Sequence, residues 1–256
     1  MTPTDRSRVA PSRSYFLSTQ NPLQSLIFLS PLIIFYELGL LVFGTDQFGR
    51  VFRDIYARRL LIDFFEWFGI SAYHIGPLIV VAALLGLHIV RRDPWRYDLR
   101  LYGYMGAESL ALSLPLFVFS MVFFRVRAAQ SIVAATDAPG AAAWQSELVF
   151  HVGAGIYEEF LFRLIGLALL HAIFCDLFRL NDRWGIPLTI VLSAIAFALY
   201  HFTKTNPFQW PMFFFYTLAG VYFAGVYLSR GFGVVAGTHA MYDVLVLMFR
   251  LFDQQN

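Results

Sequence analysis

Polar residues break this chain into a succession of apolar stretches, most of them close to 20 residues long. An α-helix needs about that length to cross roughly 30 Å of hydrocarbon. Such stretches fall at residues 22–43, 71–90, 101–124, 147–174, 187–202, 211–229 and 232–252, so the pattern predicts about seven spanning helices, within a range of six to eight. Residues 51–70 follow a different rule. They interleave Arg53, Arg58, Arg59, Asp63 and Glu66 with Leu, Ile, Phe and Trp67, as expected of a helix lying in the membrane interface. Residues 1–20 are polar and carry Arg6, Arg8 and Arg13. The apolar run after them is too long for a signal-peptide core and has no small-residue cleavage site, so it reads as an uncleaved first span. A loop at 127–146, with its alanine run and Pro139-Gly140, precedes the fourth span.

Composition narrows the class to an all-α polytopic membrane bundle. Hydrophobic residues make up 58% of the chain and charged residues 14%, against about 45–50% and 25% in soluble domains. The net charge of +2 is small and scattered, and gives no basis for nucleic-acid binding. A single cysteine, Cys175, excludes an internal disulfide and a metal cluster built on cysteines, and reads most simply as a small apolar residue near a helix end. Arg and Lys divide almost evenly between alternate sides, which leaves only a slight lean towards a cytoplasmic N-terminus. No internal repeat is visible, which weighs against inverted-repeat transporter architectures. The chain is expected to be one membrane domain, with accessory spans and the interfacial segment in 1–146 and a four-helix catalytic core in 147–252.

Ionisable groups inside the apolar runs are where chemistry is expected. Each costs roughly 2.5–3.5 kcal/mol to insert at a helix centre, so it marks a functional site by default. Glu158, Glu159 and Arg163 sit within the fourth span. Glu159 and Arg163, four apart, share a helical face and pair; Glu158 points about 100° away and is free to face a cavity. The fifth span ends at His201, and the seventh carries His239 with Asp243 four residues on, where the carboxylate can orient or charge the imidazole. Two carboxylates and two histidines converging in a membrane bundle suit hydrolysis. The His-Glu-x-x-His of zinc proteases is absent, as are Gly-x-Gly-Asp and Gly-x-Ser-Gly; Ser109, Ser113 and Ser193 read as helix-packing residues. A transporter or proton relay would need polar residues across the whole bilayer, for which Glu37 and Glu108 are the obvious candidates in the earlier spans.

Taken in order on successive helices, Glu158-Glu159-x-x-x-Arg163, Phe197-x-x-x-His201 and His239-x-x-x-Asp243 resemble the motifs of the CAAX protease and bacteriocin-processing (Abi) family, which includes the Ras-converting endoprotease. The resemblance covers residues 147–252. It implies an intramembrane endopeptidase that hydrolyses a peptide bond in a membrane-anchored or hydrophobic peptide. Glu158 with His201 would activate a water, and His239 with residue 243 would stabilise the oxyanion, while Glu159, Arg163 and Phe197 would support the site. Asp243 stands where the better-studied converting enzyme has Asn. An ionised Asp cannot donate to an oxyanion, so it must stay protonated or hold His239 as a charged donor. The resemblance implies a glutamate mechanism without a cofactor; a zinc set of Glu158, His201 and His239, with a fourth place for water, stays open. So does a non-catalytic scaffold or immunity protein. The expected partners are the lipid bilayer and the peptide substrate, and the expected location is the inner membrane if the source is bacterial.

Overall fold

The computed structural model describes residues 15–44, 53–70, 75–128, 143–203 and 206–253. The polar segment with Arg6, Arg8 and Arg13, the start of the 71–90 span and the loop around Pro139-Gly140 lie outside the described residues. Every regular element among the described residues is helical: α1 (Tyr15–Thr19), α2 (Pro22–Phe43), α3 (Tyr56–Glu66), α4 (Ile75–Arg91), α5 (Leu99–Ala128), the long α6, α7 (Asp182–Tyr200), α8 (Trp210–Arg230) and α9 (Phe232–Asp253). The α6 rod starts as α-helix over Ala143–Glu159 and widens to π-helix over Phe160–Leu167. It returns to α over Ala168–His171 and is π again over Ala172–Leu177.

Local chemistry sets the ends of these helices. Asn21 caps α2, its side chain accepting the Leu23 N–H at 2.9 Å with Pro22 in the first turn, and Asn181 caps α7 through the Arg183 N–H at 2.9 Å. Gly231, at φ 85°, makes the one-residue break between α8 and α9. An L-residue would be strained there, and its Cβ would come within 2.8 Å of the Gln20 backbone.

Six of the helices are long and apolar enough to cross a membrane: α2, α5, α6, α7, α8 and α9. Their outward flanks expose Leu38, Val42, Val118, Leu169 and Leu218, as lipid-facing surfaces should. The 71–90 span expected from hydropathy is represented by α4, a shorter apolar helix of 17 residues, about 25 Å long. Its ends nevertheless reach both faces of the bundle. Gly76 lies against Arg58 at one end, and Arg91 donates to the Gln20 carbonyl at 3.2 Å at the other. Gln20, Ser229 and Arg230 gather on that first face, Gln20 donating to the Ser229 carbonyl at 3.0 Å. Arg53, Glu147 and Tyr200 gather on the second. Counting α4, seven helices connect the two faces.

The interfacial segment is shorter than the sequence pattern suggests, and one of its charges points inward. α3 packs on α4 and α6 through Ala57, Leu61 and Ile62, leaving Tyr56, Phe64, Trp67 and Phe68 exposed. Arg58, fully buried, pairs with Asp54 at 2.7 Å and Glu37 at 3.4 Å, and Tyr157 also donates to Glu37 at 2.9 Å. At the opposite face Glu108 accepts from Arg230 Nε and Nη2 at 2.6 and 2.7 Å and from the Tyr15 hydroxyl at 2.7 Å. Glu37 and Glu108, the two acids a transport path would have drawn on, are thus occupied by local partners.

Candidate active site

Three helices bring the sequence-marked residues together. α6 carries Glu158, Glu159 and Arg163, α7 carries Phe197 and ends in His201 as its C-cap residue, and α9 carries His239 and Asp243. α6 and α9 can approach this closely because of Gly155: a Cβ there would sit 2.5 Å from the Ala240 backbone nitrogen. That contact lies within one turn of Glu158 and directly beside His239.

The two glutamates divide as their angular separation requires. Glu159, fully buried, lies 3.1 Å from Arg163 Nε, and it accepts from His239 Nδ1 at 2.7 Å. The sequence pattern had paired Glu159 with Arg163 alone; its hold on His239 depends on the α6–α9 approach, which no motif spacing displays. Arg163 also donates to the Gly220 carbonyl at 3.2 Å, and its guanidinium stacks 4.3 Å over the Phe197 ring. Phe197 therefore stands between the buried cation and both imidazoles, with ring centroids 4.6 Å from His201 and 6.0 Å from His239.

Glu158 faces the other way. Its Oε2 lies 3.7 Å from His201 Nε2 and 4.0 Å from His239 Nε2, with no direct hydrogen-bond partner. Both separations are too long for a direct hydrogen bond and suit groups that share a water. The histidine tautomers follow from the far sides of the rings. His201 Nδ1 is 2.7 Å from the Phe197 carbonyl, which can only accept, so Nδ1 carries the proton and Nε2 presents a lone pair. His239 donates through Nδ1 to Glu159, leaving its Nε2 towards Glu158 and, at 3.6 Å, Asp243.

Sequence reasoning missed several residues here. The Tyr200 hydroxyl, one residue before His201, accepts the Ala57 N–H at 2.9 Å. Tyr216 stacks on His201 at 4.1 Å and Phe223 on His239 at 4.6 Å, so each imidazole is clamped by an aromatic face. His151 lies 3.5 Å from Asp243 and 3.9 Å from Glu147. Its position seven residues before Glu158, on the same helical face, was a legible signal. Side-chain exposure rises from 9% at Glu158 through 17% at Asp243 and 27% at His151 to 34% at Glu147, so the polar cluster opens towards the second face. Ser109, Ser113 and Ser193 bond backbone carbonyls within the bundle, as packing residues do.

Among the described residues, the His, Cys, Asp or Glu trio with ligand atoms all within 4.8 Å of one another is His171, Cys175 and Asp182. Glu158, His201 and His239 are not such a trio.

Residues 141–245, which hold the whole cluster, match the family model described as Type II CAAX prenyl endopeptidase Rce1-like. Over that stretch, less than half of the chain, the sequence is similar to the CAAX prenyl endopeptidase family, and the six long apolar helices make the protein an integral multi-pass helical membrane protein. No curated protein matches the chain, and no solved structure does.

Proposed function

We propose that the protein is a glutamate-dependent intramembrane endopeptidase that cleaves a peptide bond in a membrane-anchored or hydrophobic peptide. The carrying observation is the pair of distances, 3.7 and 4.0 Å, that set the unpartnered Glu158 oxygen between two imidazole nitrogens. Glu158 acts as general base on a water held between it and the lone pair of His201 Nε2. The water oxygen attacks the scissile carbonyl, its proton passes to Glu158, and Glu158 returns it to the leaving amine. His239 faces the carbonyl oxygen as it becomes an oxyanion. An imidazolium at His239 has a carboxylate at each nitrogen, Glu159 and Asp243, which favours the role of Asp243 as holder of a charged donor over that of donor itself. Residues 147–252 form the catalytic core and residues 1–146 the accessory part. No step in this mechanism passes through a metal.

The test is cleavage of quenched, membrane-anchored peptides by the purified protein in liposomes. Glu158→Gln and Glu158→Ala are expected to lower kcat by about 10²–10⁴, the usual worth of a general base, and chelation is expected to leave the wild-type rate intact. A Glu158→Gln variant as fast as wild type would remove the general-base role and revive the scaffold reading. Activity lost to chelation and restored by zinc would instead make Glu158, His201 and His239 ligands.

A further inference from the structure

A second group of chemistry-bearing side chains lies at the other end of α7. His171 and Cys175 are four apart where α6 passes from α-helix into its second π segment, and Asp182 opens α7 after a short turn. One ligand atom from each lies within 4.8 Å of the other two; His171 and Cys175 are partly buried and Asp182 is exposed. Asp176 Oδ2 lies 3.9 Å from His171 Nδ1.

Three separate features of the fold bring these groups together. The π segment widens the helix at Cys175. The turn passes through Arg179 in the left-handed region, φ 55°, a conformation that bulky L-residues rarely adopt. Gly185 lets the α7 backbone close onto Cys175, because a Cβ there would collide with the Sγ. Local backbone hydrogen bonds fix the turn, from Phe178 to the Ile173 carbonyl at 3.0 Å and from Leu180 to the Phe174 carbonyl at 2.9 Å.

We propose that His171, Cys175 and Asp182 form a site for a divalent cation of the zinc class, with Asp176 or water as the fourth ligand. One imidazole, one thiolate and one carboxylate are ligands zinc accepts, and the latter two neutralise its charge. Calcium and magnesium prefer all-oxygen sets, so the sulfur selects against them. Zinc bonds of about 2.0–2.3 Å place ligand atoms roughly 3.3–3.8 Å apart in a tetrahedron, and small rotamer changes reach that from the observed spacing. The cation takes the place of the thiol proton of Cys175, so binding releases it. Cys175 then does more than a small apolar residue near a helix end: one thiol cannot build a cysteine cluster, but it can complete a mixed one.

The site is remote from the chemistry. α7 has 19 residues between Asp182 and Tyr200, a rise of roughly 28 Å, so the cation would staple the α6–α7 hairpin on the first face while Glu158 works towards the second. Zinc found in the purified protein would therefore not by itself describe the catalytic centre.

Cobalt distinguishes the two locations, because Glu158, His201 and His239 supply no sulfur. Titrating the purified protein with Co²⁺ is expected to give a thiolate-to-cobalt charge-transfer band that saturates at one equivalent. The band should persist in Glu158→Ala and vanish in Cys175→Ser, and zinc should raise the thermal midpoint of wild type but not of Cys175→Ser. Absence of the band in wild type would overturn the site. So would a band of undiminished affinity in both His171→Ala and Asp182→Asn, which would mean an adventitious ion on a lone thiol only.

Discussion

Arg163 shows how a buried cation is made tolerable: it has Glu159 beside it, the Gly220 carbonyl as acceptor and the Phe197 ring beneath it. Removing one member of such a buried pair strands the other, at a cost of about 3–5 kcal/mol. Arg163→Ala is expected to lower unfolding stability in detergent by that amount, measured by denaturant titration. A loss below about 1 kcal/mol would mean that the pair contributes no more than a surface ion pair does. His239→Ala is a different kind of change, expected to cost about 10²–10³ in kcat while leaving KM nearly unchanged, since an oxyanion donor acts mainly in the transition state. A rise in KM alone would place His239 in substrate binding. The residues that meet at this site could be read from the sequence because burying charge in hydrocarbon is too costly to be accidental. Their aromatic clamps could not: Tyr216 and Phe223 sit in an apolar helix where any of several rings could have faced inward, and only helix rotation selects them.

At the scale of the helix, Gly155 sets the distance on which Glu159 and His239 depend. Gly155→Ala must push α6 and α9 apart, with an overpacking cost of about 1–3 kcal/mol. The peptide-cleavage rate is expected to fall further than stability does, because the 2.7 Å bond to His239 is lost with sub-ångström displacement. Wild-type values for both kcat and thermal midpoint would show that the close approach is dispensable. Span positions were legible from hydropathy, and α2, α8 and α9 begin or end within a residue or two of where the apolar pattern placed them. Two elements were not. The π segments of α6 carry no hydropathy signature, and Arg58 belongs to a stretch whose mixed pattern hides which charge is turned inward to Asp54 and Glu37. The π segment at Phe160–Leu167 also fixes chain length: deleting one residue there would turn Glu158 by about 100° against the rest of α6.

For the whole molecule, two buried charge clusters hold the bundle at its opposite faces, Arg58 with Glu37 and Asp54 at one and Arg230 with Glu108 at the other. Between them the seven helices define two sides that a labelling experiment can separate. In a Cys175→Ser background, Glu147→Cys and Arg91→Cys are expected to react with a membrane-impermeant maleimide from opposite sides of sealed vesicles. Labelling of both from one side would contradict the passage of α4 between the faces. Because residue 15 and the mouth of the polar cluster lie at opposite faces, the compartment that holds the start of α1 is not the one onto which the cluster opens. A label at the start of α1 would therefore mark the side away from the cluster's mouth, and one at the last turn of α9 the side it opens to.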